Sequence, residues 1–349
     1  MRISEQIELA GKTTLGIGGP ARYWAEAEAA EDVPAALAWA RERGLEWLVV
    51  AGGSNLLVSD AGFAGLALHP AFTGIAEIAP GVAEVAAGHD WDGFVAWCVA
   101  RGWAGVECMS GIPGTAGATP VQNVGAYGQE VAEVIEQVRA WDAHERRWAT
   151  MSAAECGFSY RSSRFNRQDR GRFVITAVRF RLRPGGAATV RYPELERRLA
   201  ESRGGERTLA PTLEAVREAV RALRRGKAML LEAGDADCRS AGSFFKNPVV
   251  DAARVAAVAA AAGAAPPQFA AGDGRFKLPA AWLIERAGFG KGFALADSRV
   301  GLSSRHVLAL VNRGGGTAAE AMALAGAIQN AVAQRFGVAL EPEPVRVGF

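Results

Sequence analysis

Ser243 is the side chain in this sequence best placed to donate a proton. It lies in CRSAGSFFKNP (238–248), after Ala-Gly and before two phenylalanines, so its hydroxyl is expected in a tight and partly desolvated turn. Lys246 and Asn247 follow and add donors for an anionic ligand. A Ser-His-Asp hydrolase is not indicated, because the sequence has no GxSxG turn and none of its four histidines is close to Ser243.

Arg161 and Lys227 are candidates for binding an anion. Arg161 follows Tyr160 in GFSYRSSRF (157–165), and arginine beside tyrosine in an apolar frame suits bidentate capture of a carboxylate or phosphate. A solvated turn has the same composition. Lys227 stands at the glycine that ends the basic run RALRRGK, so it is either part of a solvated helix end or a contact to a pyrophosphate.

Two carboxylates near the C-terminus stand between prolines. Glu341 and Glu343 lie in LEPEPVRVGF, and proline restricts the backbone on either side of them. Such a carboxylate can be held in one position for chemistry. The same pattern also suits a simple cap on a terminal strand.

The stretch GIPGTAGATPVQNVGAYGQE (111–130) contains five glycines and two prolines. Its spacing matches neither GxGxxG nor a Walker loop. Glycine at this density indicates either close approach of the backbone to a large ligand or a tight buried crossover. In the first case, Gln122 and Asn123 can recognise the edges of a heterocycle.

Two further glycine stretches follow apolar runs. AGGSNLLV (51–58) is a turn whose amides, with Ser54 and Asn55, can bind an anion, although such turns are more often structural. NRGGGTAAEAM (312–322) resembles a phosphate loop, but we prefer a turn before a C-terminal helix capped by Thr317.

Composition limits the class of protein. The 349 residues are half hydrophobic, which is enough for two or three domains, and the net charge of +2 without a basic face gives no indication of nucleic-acid binding. The four cysteines are scattered along the sequence and predict neither a zinc site nor a disulfide framework. We therefore expect the protein to reside in a reducing compartment. We expect a cytoplasmic protein, because neither a signal peptide nor a membrane span is evident.

The candidate residues need elements to position them, and the periodicity predicts both helices and strands. Short strands with turn signals are expected between 66 and 185 and at 306–312. Helices are expected at 32–44, 91–102, near 250–262, at 278–287 and at 317–336, with a charged helical stretch around 205–230.

Seven stretches occur in order over almost the whole chain: TTLGIGGPARYW, VVAGGSNLLVSD, GIPGTAGATPVQNVGAYGQE, SYRSSRF, AGSFFKNP, KLPAAWLIERAG and LEPEPVRVG. Together they closely resemble the UDP-N-acetylenolpyruvoylglucosamine reductase (MurB) family of flavoenzymes, in its longer form with a tyrosine loop that closes over the substrate. The resemblance implies an α+β fold: an FAD-binding part of the vanillyl-alcohol-oxidase (PCMH) type in two subdomains, residues 1–65 and 66–215, and a C-terminal α+β substrate-binding domain, residues 216–349. Its last 15 or so residues are expected to return toward the active site.

The resemblance also implies a reaction. NADPH would reduce FAD, and flavin N5 would deliver hydride to C3 of the enolpyruvyl group of UDP-N-acetylenolpyruvoylglucosamine. C2 must then be protonated, and the developing charge must be stabilised by preorganised donors. By motif position, Ser243 is the proton donor, and Arg161 and Glu343 stabilise the enolate, with Glu341 as the alternative glutamate.

The remaining roles are carried over in the same way, and the protein is expected to be a monomer without a metal. The implied substrate contacts are Tyr160, Tyr192, Lys227 and Asn247. The implied flavin contacts are Gly52, Gly53, Ser54, Asn55, Gly111, Gly114, Thr115, Gly117, Gln122, Asn123, Gly125 and Tyr127. From these we predict that a Cβ at Gly117 or Gly125 reduces FAD affinity before it affects the fold.

Two other hypotheses fit parts of the sequence. The first is another FAD enzyme of the same fold, such as an oxidase that holds its flavin covalently, for which His89 is the nearest candidate. The second is a sugar-nucleotide binder without activity, against which Ser243, Arg161 and a C-terminal glutamate argue.

Overall fold

The computed structural model describes residues 1–202 and 210–349. The β-strands in this part of the chain are β1 (Arg2–Glu8), β2 (Pro20–Ala27), β3 (Trp47–Val49), β4 (Leu56–Val58), β5 (Phe63–Pro70), β6 (Ile75–Ala79), β7 (Val82–Ala86), β8 (Trp103–Ala104), β9 (Gly125–Ala126), β10 (Gln129–Glu130), β11 (Ile135–Asp142), β12 (Arg147–Ser152), β13 (Phe173–Arg181), β14 (Arg183–Pro184), β15 (Val249–Asp251), β16 (Phe269–Ala270), β17 (Arg275–Lys277), β18 (Val300–Leu302), β19 (Leu310–Asn312) and β20 (Val345–Val347). The α-helices there are α1 (Asp32–Glu42), α2 (Trp91–Ala100), α3 (Pro193–Ser202), α4 (Leu213–Gly226), α5 (Ala252–Ala262), α6 (Ala280–Arg286) and α7 (Ala318–Phe336).

The chain forms two compact units, each assembled from separate segments. The larger unit consists of Met1–Ile7, Ala21–Gly52 and Ala64–Leu230, and the smaller unit consists of Glu8–Pro20, Gly53–Phe63 and Leu231–Phe349. Two short N-terminal segments therefore belong with the C-terminal third of the chain. The division into three domains, with boundaries after residues 65 and 215, stays a prediction.

The first layer of the larger unit is a four-stranded sheet covered by α1. The strand order is β1-β2-β5-β3, and β3 runs parallel to β5 with Trp47 opposite Leu66. Helix α1 connects β2 to β3, and its apolar residues recur every three or four positions, so they share one buried face. That face, which packs in one core with Leu66 and Leu68 of β5, consists of Val33, Ala36, Leu37 and Ala40.

The second layer of the larger unit is a five-stranded antiparallel sheet in the order β12-β11-β13-β7-β6. Helix α2 packs against it through Trp91 and Phe94, and the ring of Phe94 lies 4.9 Å from that of Phe180 in β13. The Asp90 side chain caps α2 by accepting a hydrogen bond from the Gly93 amide at 2.7 Å. This packing fixes the first turn of α2, which carries residues of the site.

The smaller unit has small sheets and three helices around one core. Its sheets are β15-β17-β16, β18-β19 and β20-β4, and β20 runs parallel to β4 with Val345 opposite Leu56. The segments Glu8–Pro20 and Gly53–Phe63 contribute Leu15, Ile17 and Leu57 to a core made mainly by α6, α7 and the strands β18 and β19. The unit is therefore incomplete without its two N-terminal segments.

Most predicted helices are confirmed within one to three residues at their ends. Helix α7 begins after Thr317, which forms a capping box with Glu320, because this pair satisfies the otherwise unbonded amides of the first turn. The strand expected at 306–312 is shorter. Only Leu310–Asn312 forms β19, since the Ala309 amide bonds to the carbonyl of His306 in a turn.

Candidate active site

The glycine stretch 111–130 lies in the larger unit, where backbone packs directly against backbone. The Gly117 amide bonds to the Ala87 carbonyl at 2.9 Å, and a Cβ on Gly117 would lie 2.4 Å from the Ala87 Cβ. A Cβ on Gly52 would lie 2.6 Å from the Cα of Gly114, so the first and second glycine stretches meet without room for side chains. These glycines are required by a tight crossover, which was one of the two sequence interpretations.

This packing overturns the expectation for Gly117 and Gly125. A Cβ on Gly125 would lie 2.6 Å from the carbonyl oxygen of Gln129, its neighbour in the β9–β10 hairpin. Backbone atoms cannot move aside as a flexible side chain can. Substitution at either glycine is therefore expected to disturb the fold first.

Charged side chains hold Gly111 at both its amide and its carbonyl. The amide donates to Asp92 Oδ1 at 2.6 Å, and the carbonyl accepts from Arg224 Nε at 3.1 Å. Asp92 also accepts hydrogen bonds from Arg217 at 2.6 and 3.0 Å and from Arg221 at 2.6 Å. Burial acts to raise the pKa of Asp92, but the hydrogen bonds, first those of Arg217, outweigh it and hold this pKa below its ordinary value.

Asn123 is a structural hub and is almost fully buried. Its amide nitrogen donates to Glu130 Oε2 at 2.8 Å and to the Ser159 carbonyl at 3.1 Å, and its side-chain oxygen accepts from the Ala132 amide at 3.1 Å. Its φ of 47° is in the left-handed region, which asparagine tolerates better than most residues. Both amide protons are therefore used within the protein.

Arg161 lies beside the same hairpin. Its Nη2 donates to the Gly125 carbonyl at 3.1 Å, and its guanidinium carbon is 5.5 Å from the centre of the Tyr160 ring. The backbone at Arg161 has a φ of 52°, within a tight turn in which Ser159 and Ser162 exchange backbone hydrogen bonds. This turn connects the arginine to the glycine stretch through Gly125.

Three predicted residues, Tyr127, Tyr192 and Lys227, come together in the larger unit. The rings of Tyr127 and Tyr192 meet edge to face with centroids 5.6 Å apart, and Lys227 Nζ lies 5.8 Å from the centre of the Tyr127 ring. Lys227 also donates to Glu194 Oε2 at 2.6 Å. Burial raises the pKa of Tyr127 to about 12, so its hydroxyl stays protonated at neutral pH.

In the smaller unit, the segment that carries Ser243 pairs with the C-terminal segment. The Glu343 amide donates to the Phe244 carbonyl at 2.9 Å, so Ser243 and Glu343 are neighbours of one hydrogen-bonded pair. Asn55 joins them, because its side-chain amide donates to the Glu343 carbonyl at 3.4 Å and its own carbonyl accepts from the Val345 amide at 2.9 Å. Both Ser243 and Glu343 are half-buried.

The two candidate glutamates are in different environments. Glu341 is exposed and forms an ion pair with Lys246, with Nζ at 2.5 Å from Oε1. Asn247, which follows Lys246 in the sequence, caps α6, because its side-chain oxygen accepts a hydrogen bond from the Ala280 amide at 2.9 Å. Lys246 and Asn247 thus have partners within the smaller unit.

The remaining predicted flavin contacts lie on the two glycine stretches. Gly53 has a φ of 61°, and a Cβ there would lie 1.9 Å from the Lys12 carbonyl oxygen. Ser54 and Gln122 are half-buried. The Oγ1 of Thr115 and the Nδ1 of His89 are buried and make no hydrogen bond to the described residues.

The third glycine stretch binds a carboxylate of the protein itself. Asp60 accepts from the amides of Ala318 at 2.7 Å and Ala319 at 3.0 Å, at the start of α7. The Asn312 side chain accepts from the amides of Gly314 and Gly316. These bonds agree with a turn that leads into a capped helix.

Comparison with known proteins gives two family matches. Residues 21–148 match an FAD binding domain, and residues 234–347 match the C-terminal domain of UDP-N-acetylenolpyruvoylglucosamine reductase. The UDP-N-acetylenolpyruvoylglucosamine reductase of Nocardia farcinica is 49% identical over 354 residues, covering 99% of this chain and 90% of that protein. The chain belongs to the UDP-N-acetylenolpyruvoylglucosamine reductase family.

Other members of the reductase family agree in length. The enzyme of Thermobifida fusca is 45% identical and is covered to 98% of its length. The crystal structure of the reductase (MurB) from Thermus caldophilus is similar in fold over 99% of both chains, with a TM-score of 0.68 at 24% identity. The predicted α+β fold with an FAD-binding part is thereby confirmed, and the chain is an FAD-dependent oxidoreductase of this family.

The residues present fit a bound flavin. Thr115 and His89 leave buried polar atoms without partners in the described residues, and both belong to the chain around the glycine stretch. Buried polar groups are normally hydrogen-bonded, so these atoms are suited to a ligand with polar ring edges. Burial lowers the pKa of His89, which keeps its imidazole neutral.

Sequence reasoning missed Asp92, Arg217, Arg221, Arg224 and Glu194. Signals for the first four were available, because the arginines recur at i, i+4 and i+7 along a predicted helix and Asp92 lies in the first turn of another.

In the described part of the chain, no helix combines the length and apolar character that a membrane crossing requires. Residues 1–202 and 210–349 also contain no group of three or more His, Cys, Asp or Glu side chains that could hold a metal ion.

Proposed function

We propose that this chain catalyses the NADPH-dependent reduction of UDP-N-acetylenolpyruvoylglucosamine to UDP-N-acetylmuramate, a step of peptidoglycan precursor synthesis. The observation that carries the proposal is the pairing of the Ser243 segment with the C-terminal segment through the Glu343 amide. This pairing brings the backbone of Glu343 to the residue that follows Ser243, in a chain of the matching family.

Ser243 is the proposed proton donor to C2 of the enolpyruvyl group. Hydride addition at C3 breaks the C2–C3 double bond and leaves negative charge over C2 and the adjoining carboxylate, so C2 must receive a proton to complete the product. Half-burial of Ser243 limits competing solvation of its hydroxyl. The serine then regains its proton from solvent, so each turnover consumes one NADPH and one proton.

Arg161 and Glu343 are proposed to stabilise the enolate. The Arg161 guanidinium can bind the substrate carboxylate, and the Gly125 carbonyl and the Tyr160 ring support its orientation. Glu343 would stabilise the enolate by donating a hydrogen bond from its carboxyl group, which requires that this group carry a proton at that step. Glu343 is half-buried and its amide bonds to the residue after Ser243, whereas Glu341 is exposed, which supports Glu343 for this role.

Tyr160, Tyr192, Lys227 and Asn247 are the proposed substrate contacts. Lys227 offers a cation to the diphosphate, and Tyr192 is 41% exposed, which leaves its ring free to cover a ligand. The side-chain oxygen of Asn247 is used by α6, so we assign the ligand contact to its amide nitrogen.

FAD is proposed to be held by both glycine stretches. When bound, FAD supplies the hydride that is added to C3, at the expense of NADPH. The proposed contacts are Gly52, Gly53, Ser54, Asn55, Gly111, Gly114, Thr115, Gly117, Gln122, Asn123, Gly125 and Tyr127. Since Asn123 spends its side-chain amide on Glu130 and Ser159, its proposed role is to shape the loop for the flavin.

The test is NADPH oxidation by the purified protein with and without the enolpyruvyl sugar nucleotide. We expect a yellow protein whose flavin is released on denaturation, and NADPH oxidation that depends on the sugar nucleotide. Flavin that stays attached after denaturation would favour the oxidase hypothesis. A colourless protein that cannot be reconstituted with FAD would overturn the proposed function.

A further inference from the structure

The Lys227–Glu194 ion pair occupies the place where Lys227 is proposed to meet a diphosphate. Lys227 Nζ lies 2.6 Å from Glu194 Oε2, and both side chains are about 30% exposed, so a ligand can reach them from solvent. Glu194 is two residues after Tyr192, and the Lys227 ammonium lies over the ring of Tyr127. The pair therefore belongs to the same cluster as both tyrosines.

Both charges of the pair are stabilised by the helices that carry them. Glu194 lies in the first turn of α3, and Lys227 is the C-terminal cap of α4. A helix favours negative charge at its N-terminus and positive charge at its C-terminus. Glu194 and Lys227 therefore each lie at the helix end that favours the charge of that side chain.

The other cations near the tyrosines are already engaged. Arg224 donates to the carbonyls of Gly111 and Met229, and Arg191 donates to Gly128 and Glu133. A lysine ammonium has three donors, so Lys227 can turn toward a phosphate oxygen while the Glu194 carboxylate stays within a few ångströms. That carboxylate then opposes the negative charge of the ligand.

We propose that Glu194 is a specificity-determining residue. It holds Lys227 in an ion pair until a nucleotide diphosphate takes the place of the Glu194 carboxylate at the lysine ammonium. Because this ion pair must be broken, Glu194 weakens diphosphate binding. The inference rests on the proposed contact between Lys227 and the substrate. This role of Glu194 explains why a carboxylate lies beside a proposed diphosphate contact, where an anionic ligand alone would favour only positively charged side chains. Glu194 would penalise anions that cannot also engage the two tyrosines, and it would speed release of the product.

The experiment measures UDP and uridine binding to the FAD-loaded enzyme by calorimetry or, for the weaker ligand, by NMR titration. For Glu194→Gln we expect the Kd of UDP to fall about fivefold, the size expected for one charge near a protein surface. Uridine binding should not change, because uridine has no phosphate. Glu196→Gln is the matched control, since it removes one charge from the same turn of α3 at an exposed position, and it should change the UDP Kd less than twofold.

Lys227→Met should weaken UDP binding about tenfold, and in that background Glu194→Gln should give a smaller gain than it gives in the wild type. Unchanged or weaker UDP binding in Glu194→Gln would overturn the inference. Unchanged UDP binding in Lys227→Met, with normal turnover of the enolpyruvyl sugar nucleotide by the wild type, would also overturn it and leave the proposed reaction standing. The expected UDP results without any such turnover would support the inference and contradict the proposed function.

Discussion

Ser243 and Glu343 are far apart in sequence and are neighbours because two backbone segments pair. The bond from the Glu343 amide to the Phe244 carbonyl joins the two segments through the main chain, so the side chains at positions 243 and 343 can be changed without removing it. Buried phenylalanines at 244 and 245 anchor the serine side of this pair. Substitutions of Ser243 or Glu343 are therefore expected to act on chemistry and to leave the fold in place.

Ser243→Ala is expected to separate the two half-reactions. Reduction of the flavin by NADPH should stay within about twofold, because it needs no proton at C2, whereas reduction of the sugar nucleotide should fall by roughly 10²- to 10⁴-fold. Stopped-flow absorbance of the flavin measures both steps. Ser240→Ala, in the same segment, is the control and should affect neither step strongly; equal losses in both steps for Ser243→Ala would show that the serine is not the proton donor.

The two C-terminal glutamates are distinguished by replacing each with glutamine. Glu343→Gln should lower kcat by about 10²-fold or more, because an amide N–H is a weaker hydrogen-bond donor to the enolate than a carboxylic acid O–H. Glu341→Gln loses an exposed ion pair to Lys246 and should lower kcat less than threefold. Steady-state kinetics of both variants decides the assignment, and a larger loss for Glu341→Gln would contradict it.

At the scale of elements, helix α4 connects the glycine stretch to the tyrosine cluster. Arg217, Arg221 and Arg224 lie along one face of it and bind Asp92 and Gly111, and Lys227 caps its end. Burial lowers the pKa of Arg224 from its ordinary value, and its two carbonyl partners compensate for the lost hydration. One helix thus sets the positions of a proposed flavin loop and a proposed substrate contact.

The crossover at Gly117 gives a prediction about stability. Gly117→Ala places a methyl group 2.4 Å from Ala87 Cβ and is expected to cost about 1–3 kcal/mol of unfolding free energy. A Cβ on Gly226, at the end of α4, would have no atom of the described residues within 4 Å. Gly226→Ala should therefore be neutral or stabilising by up to about 1 kcal/mol. Urea denaturation of the apoproteins measures both. Full stability of Gly117→Ala combined with lower FAD affinity would favour close approach to a ligand.

The helices and the glycine stretches differ in how far the sequence predicts them. Helices α1, α2 and α7 follow from local properties, namely apolar spacing and the caps Asp90 and Thr317. The neighbours of Gly117 cannot be predicted from the sequence. A glycine-rich composition indicates that side chains are excluded, but it does not indicate which atoms exclude them. The partners of Asp92 and Glu194 are equally hidden, since they come from helices far along the chain.

At the scale of the whole molecule, acid stability depends on buried ion pairs such as Asp142–Arg172. Arg172 donates to Asp142 at 2.7 and 3.1 Å, and these bonds hold the pKa of the buried Asp142 at about 2. A folded-state pKa below the unfolded one stabilises the protein above about pH 4, and this contribution is lost as the pH falls toward 2.

Asp142→Asn is therefore expected to destabilise the protein at pH 7 and much less at about pH 2. The expected loss is on the order of 1 kcal/mol, reduced by solvent screening because the Arg172 side chain is 34% exposed. Glu5→Gln, at an exposed position on β1 of the same unit, is the control. Thermal unfolding across this pH range measures the difference, and a loss that is equal at both pH values would contradict the assigned role of the ion pair.

The segmented build of the smaller unit has a consequence for synthesis on the ribosome. Residues 53–63 emerge about 170 residues, and residues 8–20 about 210 residues, before their C-terminal partners begin to appear, which takes roughly 10 to 40 s at usual rates of translation. During that interval Leu15, Ile17 and Leu57 lack the core that buries them in the finished protein. The nascent chain thus carries apolar segments that suit chaperone binding, and the smaller unit completes its folding only after translation has passed residue 347, where β20 ends its pairing with β4.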